Sequence, residues 1–203
     1  MKQLVPEWWD EAVTFLRSDE LLSGAIERYG TYPMSSKSDL FQTLIRSIVG
    51  QQISVAASES IWKRLNTHLG TIDPEAVLKS TQTEIAACGV TRPKAGYIFG
   101  LALASEELIN QPYDSMSDDE IKKHLIQFKG IGPWTAEMML MFHFLRQDVF
   151  SIGDIGLIRA IQNLVPDASS HEDILAIAER WKPYRTAACW YLWRTIDPEP
   201  VEY

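Results

Sequence analysis

A chain of 203 residues with 46% hydrophobic content is long enough for one domain, or two tightly joined subdomains, around a substantial core. Its net charge of −8 argues against bulk binding to a polyanion, while leaving room for a small local basic footprint. No apolar run reaches membrane-spanning length, and the start MKQLVPEWWDEA lacks the pattern of a secretory signal, so a cytoplasmic, intracellular protein is expected. The two cysteines, Cys88 and Cys189, are far apart in apolar contexts and read as reduced packing residues. With no CxxC or Cys/His cluster, neither a structural zinc nor an iron–sulfur site is expected.

The predicted elements are helices throughout. Glu7 to Arg17 and Asp19 to Tyr29 read as two short helices, closed by Gly30 and Pro33. Asp39 to Val49 places Phe41, Leu44, Ile45 and Ile48 on one face. After GQQIS, Ser54 serves as N-cap for a helix from Val55 to Leu65. Asp73-Pro74-Glu75 opens the next in a cap-then-proline style. Thr81 and Glu84 form a capping box, and Gly89 ends that helix. Pro93 restarts the chain, with Tyr97, Ile98 and Leu101 as a buried stripe.

Ser117 and Glu120 form a second capping box. Gly130-Ile131-Gly132 then breaks the chain, and Pro133 opens a helix in which Trp134, Met138, Met141 and Leu145 share a face. Residues 81–104 thus echo residues 117–145; an internal similarity and the common look of short capped helices both account for that. Asp148 to Ile152 is the one extended-looking piece. Asp154 precedes a helix whose Ile155, Ile158, Ile161 and Val165 mark a buried face. Ser170 or a neighbour caps a helix to Trp181, and Pro183 starts the last helix, PYRTAACWYLWRT. The fold class is all-α.

Three features carry chemistry. The turn Lys129-Gly130-Ile131-Gly132 leads straight into a helix start, where unpaired N–H groups and the helix dipole favour an anion. It reads as a phosphate grip or as a plain helix–helix turn. Asp154 reads as an N-cap, worth roughly 1 kcal/mol. A capping carboxylate is also rigid and suited to stabilising a developing cation. Trp134, Trp190 and Trp193 read singly as core; together they could stack a base rotated out of DNA. Local cations near the turns are Arg92 with Lys94, and Lys122, Lys123 and Lys129.

FKGIGPWTAEMMLMF, DVFSIGDIGLIRAI and WKPYRTAACWYLW together resemble the helix–hairpin–helix DNA glycosylase superfamily, in its DNA-3-methyladenine glycosylase II branch. IRSIVGQQIS and ACGVTRPKAGYI resemble earlier segments of that branch, so the similarity covers roughly residues 38–196, in a compact form. The resemblance implies two helical subdomains with a DNA-facing cleft between them: residues 38–147 as a helical barrel ending in the hairpin unit, and residues 1–37 with 148–203 as the other half. It places the essential aspartate at Asp154 and base-pocket positions at Trp134, Met138 and Trp193. DNA-backbone contacts fall on Lys129, Gly130, Ile131, Gly132 and Thr135. The wedge that fills the space left by a flipped nucleotide falls on Thr91 and Arg92. No cofactor or catalytic metal is implied, although the hairpin in this family can hold a structural monovalent cation. Bifunctional members carry a lysine nucleophile where this chain has Trp134, so strand cleavage through a Schiff base is not expected.

The resulting expectation is a monofunctional glycosylase that excises 3-methyladenine and 7-methylguanine from double-stranded DNA in base excision repair. It would act as a monomer, nucleoid-associated in a bacterium. A non-catalytic helix–hairpin–helix DNA-binding module is the alternative, and an all-α interaction protein with a tryptophan-rich core is a third reading.

Overall fold

The computed structural model describes residues 4–36 and 39–197. In chain order the helices are α1 (Trp9–Leu16), α2 (Ser23–Tyr29), α3 (Leu40–Gly50), α4 (Val55–Leu69), α5 (Pro74–Lys79), α6 (Gln82–Ala87) and α7 (Arg92–Leu103). They continue with α8 (Ser105–Ile109), α9 (Asp118–Leu125), α10 (Pro133–Phe142), α11 (Ile155–Leu164), α12 (His171–Glu179) and α13 (Arg185–Ile196), plus one 3₁₀ turn at Tyr113–Ser115. Among the described residues the only β-type pairing is an isolated antiparallel bridge between Leu4 and Ser36.

The chain forms two compact units. Ser38–Met139 is one; the chain on either side of it, Met1–Lys37 with Leu140–Glu202, is the other. The joint therefore falls inside α10, earlier than the expected break after residue 147.

In the first of these, α7 packs against α3, α5, α6 and α8, and α3 packs against α4, α7 and α8. Phe41, Leu44, Ile45 and Ile48 all point into the core, as their spacing requires. Caps set the helix starts. Asp39 accepts from the Gln42 N–H at 2.8 Å, Ser54 from Ala57 at 3.3 Å and Asp73 from Ala76 at 2.8 Å. Thr81 with Glu84, and Ser117 with Glu120, make full capping boxes.

In the other unit α13 is central and packs on α1, α2 and α11. Its residues from Thr186 to Leu192 are all buried, so the middle of the helix is enclosed on every side while Arg185 and Arg194 mark its ends. Trp9 meets Trp190 edge-on at 6.5 Å and lies tilted over Tyr191 at 6.0 Å. The Tyr191 hydroxyl donates to the Gly30 carbonyl at 3.1 Å, and the Trp9 indole to Thr31 O at 3.0 Å.

Several local expectations shift. Pro183 does not open the last helix. It follows a cis peptide bond after Lys182, Tyr184 N–H closes a turn on Trp181 O at 2.7 Å, and α13 begins at Arg185. Leu145 lies beyond α10 in a left-handed conformation (φ 52°), so it does not extend that helix face. On α11 the buried side is Leu157, Ala160 and Ile161, whereas Ile155 is 65% exposed. The core face therefore runs through Ala160, while Ile158 is only half-buried.

Candidate functional site

Asp154 is half-buried at the N-cap of α11, with φ −86° and ψ 111°. Its Oδ1 accepts two hydrogen bonds, from Leu157 N–H at 2.8 Å and from the Trp193 indole N–H at 3.0 Å. The Trp193 ring stacks on Phe142 at 5.6 Å with planes 29° apart. Gly156 completes this corner. A Cβ there would lie 2.9 Å from Asp154 Oδ1 and 3.4 Å from Trp193 Cδ1. The corner thus needs glycine for lack of space. Negative charge at Asp154 reaches Cys189, whose thiol is pushed well up, first by complete burial and then by that carboxylate.

The extended segment before Asp154 is pinned to the start of α13. Arg185 grips Asp148 with two donors, Nε to Oδ1 at 2.7 Å and Nη2 to Oδ2 at 3.0 Å. Buried Thr186 donates its hydroxyl to Arg146 O at 2.6 Å and accepts the Val149 N–H at 3.0 Å. Thr186 N–H donates to Gln147 O at 3.0 Å, and Asp154 N–H closes on Ser151 O at 3.1 Å. The carboxylate is therefore positioned from both sides: by the cap of its own helix, and through Arg185, Thr186 and Trp193 of α13.

The hairpin between α9 and α10 lies in the Ser38–Met139 unit. Gly130 has φ +97°, and a Cβ would meet the Tyr97 ring at 2.5 Å, so glycine is required on both counts. Ile131 is buried and anchors the turn, while Lys129 and Gly132 are exposed. Thr135 is 2% exposed and its hydroxyl accepts from Gln51 Nε2 at 3.2 Å. Its side chain therefore braces the hairpin.

Sequence reasoning missed Gln51. Its amide also donates to Gly130 O at 3.1 Å, and its own carbonyl accepts from Lys94 Nζ at 2.7 Å, with Val49 O at 3.0 Å from the same amine. Lys94 is thus an internal tie at the end of α3, and burial holds its amine below the usual lysine value. Lys122 is likewise engaged, with Glu137 at 2.8 Å. Of the local cations noted in the sequence, Arg92, Lys123 and Lys129 are the exposed ones.

Trp134 is half-buried, and Met138 is 1% exposed, packed among core residues. Trp190 is also core. Thr91 and Arg92 are exposed at the start of α7. A second exposed feature stands nearby in sequence to Gln51: Gln52 has a left-handed φ of 57°, and Ile53 beside it is 40% exposed. Gln52 and Leu145 are the two non-glycine residues at positive φ among the described residues, and periodicity reveals neither.

Among the described residues no group of three or more His, Cys, Asp or Glu side chains could hold a metal ion. At the hairpin, Phe128 O accepts the Ile131 N–H at 3.0 Å and Gly130 O accepts from Gln51. No helix among the described residues is long and apolar enough to cross a membrane.

The chain is 32% identical to DNA-3-methyladenine glycosylase 1 of Schizosaccharomyces pombe, over 92% of its own length and 90% of that protein. It is 30% identical to the DNA-3-methyladenine glycosylase of Bacillus subtilis, over 95% of its length and 71% of the relative. Its structure superposes on the S. pombe 3-methyladenine DNA glycosylase solved with abasic DNA, with a TM-score of 0.80 at 30% identity, covering 91% of this chain and 96% of that one. Residues 45–184 match the profile of the HhH-GPD superfamily base excision DNA repair proteins, and the chain belongs to that superfamily.

Proposed function

We propose that this protein is a monofunctional DNA glycosylase that excises alkylated bases, with 3-methyladenine and 7-methylguanine as substrates, from double-stranded DNA. The observation that carries the reading is Asp154 Oδ1, held by two N–H donors at 2.8 and 3.0 Å in a half-buried position. The names of the relatives support the substrate class.

An N3- or N7-alkylated purine is cationic before the reaction. The C1′–N bond breaks with its electron pair passing to the ring, so the base leaves neutral without needing a general acid. Positive charge develops on the sugar, and Asp154 stabilises it or accepts the proton of the water that adds to C1′. Because Asp154 is already oriented, little reorganisation is needed at that moment. Trp193 serves as positioning residue for the carboxylate, and Trp134 stands where a lysine nucleophile would be required for strand cleavage. Exposed Lys129 and the backbone at Gly130–Gly132 grip a phosphodiester. For insertion into the stack, the strained, exposed Gln52–Ile53 turn competes with Arg92, because Gln51 ties it to the hairpin.

The test is release of free base from duplex DNA treated with a methylating agent, followed by chromatography of the freed bases. Appearance of 3-methyladenine and 7-methylguanine with no strand cleavage is expected. Binding without release of any base would contradict the proposal.

A further inference from the structure

Arg194 follows Trp193 on α13 and has an unusual environment. Its guanidinium lies 4.9 Å from the centre of the Tyr29 ring and 6.0 Å from that of Trp190. The residue is half-buried, and its Nε is fully shielded with no hydrogen-bond partner. Other half-buried cations reach an oxygen: Arg46 to Glu59, Lys94 to two carbonyls, Lys122 to Glu137 and Arg185 to Asp148. Arg46 is the informative comparison. It too stacks on an indole, Trp62 at 5.2 Å, but it also holds a carboxylate. Arg194 has the aromatic support without the anion.

Two further arginines sit close by. Arg28 lies 5.3 Å from the centre of the Tyr29 ring. Arg17 and Arg194 both act on the Tyr191 phenol, which burial raises to about 12 and which these two cations partly lower. Among the described residues none of the three arginines forms an ion pair. Aromatic faces hold the guanidinium plane but satisfy few of its five donors. A fork of that shape matches phosphate oxygens, and partial desolvation strengthens the pairing.

We propose that Arg194, supported on Tyr29 with Arg28 against the same ring, binds a phosphodiester of the DNA strand whose nucleotide is presented to Asp154. The link is short: Trp193, which donates to Asp154, is the residue before Arg194. This assignment rests on the DNA reading above for the identity of the polyanion. It adds a backbone contact in the unit that carries the carboxylate, separate from the hairpin.

The experiment measures binding of the full chain to a duplex containing an uncleavable abasic-site analogue, by fluorescence anisotropy across a salt series. Arg194→Gln is expected to weaken binding about tenfold at low salt and to reduce the slope of log K against log salt by about one unit. Arg194→Lys is expected to recover the slope while remaining a few-fold weaker, since it restores charge without the fork. Arg28→Gln, at an exposed position, is expected to show a smaller loss of the same kind. An unchanged slope in Arg194→Gln overturns the proposal, as does an equal fall in Arg194→Lys, which would mark a packing role. Sodium phosphate and sodium chloride at matched ionic strength separate the two sources of the anion. Equal displacement of the duplex supports the strand. Stronger displacement by phosphate that Arg194→Gln abolishes assigns the site to free phosphate and overturns it. Base release is not read here, so failure of the glycosylase reading and failure of this contact are distinguishable.

Discussion

Trp193 donates its indole N–H to the same Asp154 oxygen that caps α11, at 3.0 Å, while the cap itself is 2.8 Å. One oxygen therefore couples a helix start to the last helix of the chain. This makes the orientation of the carboxylate depend on α13 as well as on the cap of its own helix.

Trp193→Phe keeps an aromatic ring against Phe142 and removes only the donor. We expect base release to fall about tenfold, in line with one lost hydrogen bond to a charged group. Thermal stability should stay within about 1 kcal/mol of the parent. Single-turnover rates and melting curves measure the two separately.

Gly156→Ala sets two effects against each other. Helix propensity favours alanine by about 1 kcal/mol. The new Cβ would stand 2.9 Å from Asp154 Oδ1, so the carboxylate or the Trp193 indole must shift. We expect a single-turnover rate at least tenfold lower, a little-changed melting temperature, and retained affinity for an abasic-analogue duplex. Full activity would show that the corner tolerates displacement.

Gly130→Ala combines a φ of +97° with a 2.5 Å approach to the Tyr97 ring. The strain and the clash together should cost at least about 2 kcal/mol. Loss of duplex affinity should accompany the drop in melting temperature. An alanine variant with parental stability and affinity would remove the hairpin from the account.

Arg92→Ala and Gln52→Ala decide which exposed turn enters the duplex. If the Gln52–Ile53 turn inserts, Gln52→Ala lowers release from paired DNA by about tenfold and spares release from single strands, where no stack must be filled. Arg92→Ala would then show only a weaker, salt-dependent effect. The opposite pattern returns the insertion to Arg92.

The helix starts were legible because caps are local. Ser54, Asp73, Thr81, Ser117 and Asp154 each announce a start within three residues of the group they satisfy. The candidate carboxylate was found for the same reason. Its surroundings were not legible. Phe142 beneath Trp193, Thr186 beside Val149, and Gln51 across to Gly130 are contacts between residues far apart in the chain. The lack of a side chain at Gly156 matters only because Asp154 Oδ1 and the Trp193 ring approach it, which no local pattern shows. On α11 the expected stripe Ile155, Ile158, Ile161 and Val165 is as regular as the buried one and shares only Ile161 with it. Contact with α13 selects Leu157, Ala160 and Ile161 instead.

The most direct measurement compares Asp154→Asn with the parent chain on methylated duplex DNA, with a melting curve for each. An asparagine oxygen can accept from both Leu157 and Trp193, so stability should stay within about 1 kcal/mol. Base release should be lost while affinity for the abasic-analogue duplex remains. Undiminished release by a folded Asp154→Asn protein would contradict the central role given to this carboxylate.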